Sequence, residues 1–279
     1  MLKTLDITTI KKVASLIAGN YRTSFKWVGI EFEDLREYTL WDDIHDIDWL
    51  SSAKTGKLFI KKYEEERELT TLFVIDSGEN MVFWSGEKRK LETLAEIFLT
   101  LAFSGLKWWD ALGALYFADT IEKYIPPKKT RANFSLMINT LPELEKKTWS
   151  NVNCAIDWLY ATKTKNHLIF FLTDSLETID IKKMRALSQK NDIIWLHIFD
   201  SFENTLKSNL PVKLTDKKSS IIATQDTKKQ HQYEQLRTEK LTAFEKQIRA
   251  CGWDYLRFDE QDNTFKLLFQ FFKKRQRRI

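Results

Sequence analysis

Three apolar runs along the chain each end in an acid. Thr70 to Ile75 leads to Asp76, His167 to Thr173 leads to Asp174, and Asp192 to Phe199 leads to Asp200. Short, continuous apolar runs of this kind predict strands buried on both faces. Between them the period changes from two to about 3.6. Glu87 to Ser104, Phe134 to Leu144, Val152 to Thr162 and Ile179 to Gln189 are predicted helices, with Gly105 as the stop of the first. Leu112 to Phe117 and Thr120 to Ile125 are predicted as a strand and its hairpin partner, ended by Pro126-Pro127. Towards the N-terminus, Leu5 to Leu16 has the period of an amphipathic helix, a polar irregular stretch runs through Glu37, and Leu58 to Tyr63 alternates like a strand. Towards the C-terminus, Lys207 to Lys229 reads as a polar loop. A long helix follows over Gln230 to Cys251, broken by Gly252, then a strand over Tyr255 to Phe258 and a helix over Asn263 to Lys273. Strands alternating with helices imply an α/β fold with a mostly parallel, doubly wound sheet in three layers.

Composition narrows the picture. Hydrophobic residues make up 43% of the 279 positions, enough for a full core, and 30% are charged. The formal net charge of +5 is modest and does not by itself mark a nucleic-acid binder. Two cysteines, Cys154 and Cys251, lie far apart, which argues against a disulfide framework and a Cys-based zinc site. An N-terminus without a secretory apolar region and the lack of any window of about 18 apolar residues lead us to expect a cytoplasmic protein without a membrane span. Ten Trp and nineteen Phe imply bulky aromatic packing and an aromatic contact surface.

Candidate chemistry collects where strands end. In open α/β sheets ligands bind beyond the carboxyl ends of the strands. The segment Asp76-Ser77-Gly78-Glu79-Asn80 follows the first buried run. It resembles the first loop of a von Willebrand factor A-like domain, Asp-x-Ser-x-Ser, which helps hold a divalent cation. Asp76 is kept, and Gly78 and Asn80 stand at the two serine positions. Upstream, Arg36, Tyr38, Asp42, Asp43, Ile47, Asp48 and Trp49 match the pattern Arg-x-Tyr-x-x-Gly-Asp-Asp-x-Arg-x-Ile-Asp-Trp, with Trp41 for the Gly and His45 for the second Arg. In this order the motifs resemble a bacterial domain-of-unknown-function family of von Willebrand factor A-like fold, whose genes commonly neighbour those of MoxR-type AAA+ ATPases. The likeness runs from about Gly19 to the C-terminus and takes in Ile125-Pro126-Pro127, Leu172-Thr173-Asp174 and the Phe-rich closing helix.

That resemblance implies an extension over residues 1–63 carrying the long motif, a core over 64–200, and a helix–strand–helix region over 201–279 packed on the core. It implies a degenerate metal-ion-dependent adhesion site in which Asp76, Asn80, Ser150 and Asp174 hold Mg²⁺ weakly with water. On that reading, restoring hydroxyls at positions 78 and 80 tightens the ion. The alternative is a site that has lost its metal, with Asp76 and Asp174 held by backbone N–H groups at helix starts. It further implies a non-enzymatic, protein-binding adaptor that works with a MoxR-type AAA+ ATPase on a protein client. Trp84 and Trp149, in or beside the ligand loops, are the expected partner contacts.

Other features point less far. Asp42, Asp43, Asp46 and Asp48 lack the Gly and Glu of an EF-hand loop and read as a structural cluster paired with Arg36 or nearby Lys. His45, His167, His197 and His231 have no paired spacing and read as core or rim residues. Neither a nucleophile elbow nor a phosphate-binding glycine loop occurs. The basic end, Lys273 to Arg278, reads as a solvated helix terminus complementing the dipole. The alternative function is nucleic-acid binding through that tail and exposed aromatics.

Overall fold

The computed structural model describes residues 10–11, 14–18, 21, 34–39, 47, 49–62, 69–82, 85, 89–141, 149–204, 212–216, 219–223, 227–259 and 261–277. They fall into two units, one spanning residues 27–68 and one made of the rest.

In the smaller unit, β1 (Asp34–Glu37) pairs antiparallel with β2 (Phe59–Lys62), and α1 (Trp49–Thr55) precedes β2. Part of the stretch read as irregular up to Glu37 is therefore a strand. Its partner, which does alternate, supplies the backbone bonds that its own sequence did not announce. The Ser52 hydroxyl accepts the Phe59 N–H at 2.9 Å, and Gly56 at φ 74° ends α1. Of the long motif, Arg36, Tyr38, Ile47 and Trp49 fall here, while Asp42, Asp43, His45, Asp46 and Asp48 lie outside the described residues.

The larger unit is a six-stranded sheet in the order β10-β7-β6-β3-β4-β5, flanked by helices. β3 (Thr70–Asp76) pairs parallel with β4 (Ala111–Phe117) on one side and with β6 (His167–Thr173) on the other. β7 (Asp192–Phe199) pairs parallel with β6, and β10 (Asp254–Asp259) with β7. β5 (Ile121–Lys128) is antiparallel to β4 at the edge. The three acid-terminated runs are thus neighbouring parallel strands, as their patterning predicted. β10 is a sheet strand rather than an appendage, which carries the sheet beyond residue 200.

Alternation of side chains assigns the layers. On one face Leu72, Val74, Ile169, Phe171, Ile193 and Trp195 pack against α4 (Val152–Ala161), α5 (Ile181–Ser188) and α7 (Thr227–Ala250). On the other face Phe73 meets Phe98 of α2 (Lys90–Lys107) at 4.9 Å, and Tyr21 meets Phe170 and Phe272 of α8 (Thr264–Gln276). The hydroxyl of Tyr116 donates to Met137 O of α3 (Arg131–Thr140). Residues 10–11, 14–18 and 21 are helical, and the rest of the helix expected over Leu5 to Leu16 lies outside the described residues. Among the described residues no helix is long and apolar enough to cross a membrane.

Four local expectations are corrected. α2 does not stop at Gly105. It runs to Lys107, and Trp109 at φ 59° takes the left-handed position, with Asp110 N–H on Gly105 O and Trp109 N–H on Leu106 O. The polar segment 207–229 contains a hairpin, β8 (Val212–Asp216) with β9 (Ser219–Ala223). Arg275 of the basic end is buried and ion-paired to Asp192, with its Nε 3.3 Å from Asp254, so this residue is not a solvated helix terminus. Finally, Pro126 and Pro127 do not end β5. An edge strand tolerates proline because one row of N–H groups has no ladder partner, and the pairing shifts register between Leu112 and Ala114. A Cβ on Gly113 would lie 2.7 Å from both Ile125 O and Pro127 N, backbone atoms with nowhere to retreat. Gly113→Ala should therefore lower stability by about 1–3 kcal/mol, the usual range for overpacking. Urea unfolding of native and substituted protein measures it, and equal midpoints would show that β5 moves aside freely.

Candidate functional site at the strand ends

The chain leaves β3 towards β4 on one side, while β6 lies on the other, so the sheet's topology reverses between β3 and β6. That is the crevice where such sheets bind ligands. The geometry places Asp76 at the end of β3 and Asp174 just past β6, on the same edge. The Glu79–Val82 3-10 turn brings Asn80 to them, and Ser150 arrives one residue before Asn151, the cap of α4. Four residues picked out from the sequence therefore converge. Trp149 is half-buried beside them, and Trp84 lies outside the described residues.

Asp76 is fully buried. Its Oδ1 accepts the Gly78 N–H at 2.9 Å and also contacts the Ser150 hydroxyl; its Oδ2 accepts the Thr173 hydroxyl at 2.6 Å. The Ser150 hydroxyl is also 2.8 Å from Asn80 Oδ1. The Asn80 amide faces Asp174 Oδ1 with its nitrogen, as it must, since an ionised carboxylate only accepts. Ser150 has one proton and two acceptors, Asp76 and Asn80. A proton on Asp76 resolves the count, because Asp76 then donates to Ser150, Ser150 to Asn80 and Asn80 to Asp174. The electrostatics agree: burial, and then the charge of Asp174, push the Asp76 carboxyl from 3.8 up to about 7, against the hydrogen bonds from Ser150, Thr173 and Gly78.

Sequence reasoning missed the other half of the site. Lys90, first residue of α2, is buried, with its ammonium 2.7 Å from Asp174 Oδ2 and 2.6 Å from Glu203 Oε1. Arg237 of α7 lies 3.2 Å from Glu203 Oε2. Burial works to lower the lysine pKa, but the charges of Asp174 and Glu203 outweigh it and hold it above the ordinary value. Glu203 is raised by burial, which Lys90 opposes. Asp200, the third strand-end acid, caps α6 (Ser201–Asn204) by accepting the Phe202 N–H at 2.9 Å, and accepts the Ser85 N–H at 2.7 Å. No local signal marks Lys90, the last of the run Lys88-Arg89-Lys90; its carboxylate partners Asp174 and Glu203 lie 84 and 113 positions away in the chain.

The residues do not fit an octahedral divalent ion as they stand. Both oxygens of Asp174 are engaged, one by an ammonium, and Asn80 turns N–H groups rather than oxygen towards it. Gly78 is not a vacated ligand position either. A Cβ there would overlap the Ser150 hydroxyl and lie 2.8 Å from both Asn80 Oδ1 and Ser150 N. Gly78→Ser would require Ser150 to shift, so the expected gain would come at a steric cost to the Ser150 contact. The alternative, acids held by helix-start N–H groups, is also incomplete: hydroxyls and one N–H hold Asp76, while a lysine and an amide hold Asp174.

His197, also buried, has its Nδ1 2.5 Å from the Tyr255 hydroxyl. Burial lowers its pKa from 6.5 to about 3, Asp174 opposes this, and Arg237 and Arg257 add to the lowering. It is a core histidine, as its spacing suggested. Cys154 is half-buried; burial and the charge of Asp76 raise its thiol to about 11, which keeps it protonated and unreactive.

The family described as "Protein of unknown function DUF58" matches residues 34–246. The chain is 24% identical over 227 residues to an uncharacterized protein of Mycobacterium bovis, covering 79% of this chain and 71% of that one. An uncharacterized protein of Mycobacterium tuberculosis matches with the same figures. Among solved structures it is similar to the conserved hypothetical protein BatB from Bacteroides thetaiotaomicron, at 16% identity over 75% of this chain and 99% of that one, with a TM-score of 0.47. An aerotolerance-related membrane protein from Bacteroides fragilis matches at 13% identity over 76% of this chain and 100% of that one, also with a TM-score of 0.47.

Asp76 and His197 give opposite pH signatures. From 3.8 to about 7 the folded state holds a proton on Asp76 that the unfolded chain has lost, so this term weakens stability as pH rises through that window. From about 3 to 6.5 the unfolded chain holds a proton on His197 that the folded state excludes, so this term strengthens stability as pH rises. Each is worth at most about 1.4 kcal/mol per pH unit. In metal-free buffer, His197→Gln should gain on the native protein as pH falls from about 6.5 towards about 4, and any advantage of Asp76→Asn at about pH 7 should fade over the same range. Urea unfolding across the range measures both, and parallel curves for all three proteins would reject the assignments.

Proposed function

The chain belongs to the DUF58 family of proteins of unknown function, and from that premise we propose that it is a non-enzymatic protein-binding adaptor. It acts in the cytoplasm with a MoxR-type AAA+ ATPase in the assembly or remodelling of a protein client. The ATP chemistry belongs to the partner. The proposed architecture is a von Willebrand factor A-like, doubly wound sheet, supported by the strand order and by helices on both faces. The observation that carries the function is the convergence of Asp76, Asn80, Ser150 and Asp174 at the topological switch point. The ATPase rests on the motif resemblance over residues 36–49 and 76–80. A binding role suits this site better than catalysis. The polar groups satisfy one another, and nothing among the described residues there pairs a nucleophile with a free base. Such a network fixes the shape of the loops after β3, before α4 and after β6, and shape is what a partner reads.

A second reading has one observation in its favour. At the opposite sheet edge a cavity of about 390 Å³ is lined by Lys11, Lys107, Lys129, Arg131 and Trp109. The indole is 72% exposed on a left-handed backbone. Aromatic platforms beside cations suit single-stranded nucleic acid. The adaptor reading expects no oligonucleotide binding at physiological salt. Binding that falls steeply with salt and is lost in Trp109→Ala would establish the second reading instead.

For the adaptor, Trp149→Ala should weaken capture of the ATPase or client about tenfold or more, as a truncated hot-spot tryptophan does, while the melting temperature of the domain holds. A pull-down paired with a thermal melt is the measurement. Lost stability with capture unchanged in the folded fraction would make Trp149 a packing residue and move the recognition surface elsewhere.

A further inference from the structure

Lys90 is 1% exposed, and a buried ammonium is tolerated only where carboxylates surround it with good geometry. Asp174 and Glu203 do so at 2.7 and 2.6 Å, and Arg237 takes the far oxygen of Glu203. The remaining oxygen of Asp174 receives the Asn80 amide. The acid expected to carry a divalent ion is thus occupied on both sides by donors from the chain itself. Around Asp76 the space that a second ligand side chain would need at position 78 is filled by Ser150 and Asn80.

We propose that Lys90 is the resident cation of this site. It takes the electrostatic place of a divalent ion, so that the strand-end cluster holds its shape without metal and does not take one up. The residue comes from the first turn of α2, and its charge arrives with folding rather than from solution. For the proposed adaptor, and resting on that reading, the consequence is specific. A partner carboxylate does not complete a metal shell here, and recognition runs through the surface of the three loops independently of divalent ions.

The converse gives the test. A site whose metal has been replaced by an ammonium regains the need for a cation when the ammonium is removed. Native protein, Lys90→Gln and Lys90→Met are stripped with EDTA and titrated with MgCl₂ and MnCl₂, with calorimetry and thermal melting as readouts. The native protein should give no saturable one-to-one heat and no change in melting temperature. The variants should bind Mn²⁺ at one equivalent, at least about tenfold more tightly than any response of the native protein, and melt several degrees higher with metal than without. Lys90→Arg, which keeps a cation, should remain insensitive. A variant that folds only when metal is present supports the proposal; one that stays unfolded with metal counts against it, since a cation is all that the site then lacks. Saturable one-to-one binding by the native protein, or equal responses of native protein and folded Lys90→Gln, overturns it. Partner capture in EDTA is read separately. Capture lost in EDTA by the native protein contradicts the resident-cation proposal, whereas absence of capture under all conditions contradicts the adaptor reading alone.

Discussion

A buried ammonium and the two half-buried carboxylates that meet it decide how the strand ends of this protein are arranged. Lys90, Asp174 and Glu203 come from the start of α2, the loop after β6 and α6 respectively, and the ion pairs at 2.7 and 2.6 Å require all three to be in place together. Removing one member of a buried pair costs about 3–5 kcal/mol, because the survivor is left charged and unsolvated. The geometry of the loops is therefore tied to the correct assembly of the central sheet. Asn80 and Ser150 link this pair to Asp76 through consecutive hydrogen bonds, so the buried acid of β3 is oriented by the same constraint.

The network also explains how a fully buried carboxyl is tolerated at the centre of an apolar sheet. Asp76 is flanked by the runs of β3, β4 and β6, and its charge would face that of Asp174. Protonation relieves both problems. Thr173 and Gly78 then hold the carboxyl in place, and the neighbouring carboxylate, Asp174, is one of the two that Lys90 meets. The division of labour follows from reach: the lysine side chain arrives from α2 at Asp174, while the hydroxyls of Ser150 and Thr173 meet Asp76.

Much of the fold could be read from the chain because buried parallel strands write themselves as short apolar runs with polar ends. Thr70 to Asp76, His167 to Thr173 and Asp192 to Phe199 did so, and Gly252 marked the end of α7 through its left-handed backbone. What escaped reading depends on partners distant in sequence. Arg275 looked like part of a charged tail until Asp192 and Asp254 met it in space. Pro126 and Pro127 looked like terminators, since edge position and the missing Cβ of Gly113 are properties of the assembled sheet. The site divided the same way: Asp76, Asn80, Ser150 and Asp174 could be named from motif positions, but Lys90 and Glu203 could not, because nothing local distinguishes them from surface charges.

On the proposed reading, departures from the Asp-x-Ser-x-Ser pattern form one coordinated replacement rather than separate losses. Gly at position 78 lets Ser150 approach closely enough to contact Asp76 and Asn80 at once. Asn at position 80, unlike Ser, carries both an acceptor for Ser150 and a donor for Asp174 on one planar group. With Asp174 satisfied on that side, its other oxygen is left to an ammonium, and Lys90 supplies it. Each substitution prepares the contact that the next one makes. A site that had merely decayed would leave acids without donors at some step. Here the donors leave no gap: Asp76 gives to Ser150, Ser150 to Asn80, and Asn80 and Lys90 both to Asp174, the arrangement expected of a strand-end cluster kept for its shape.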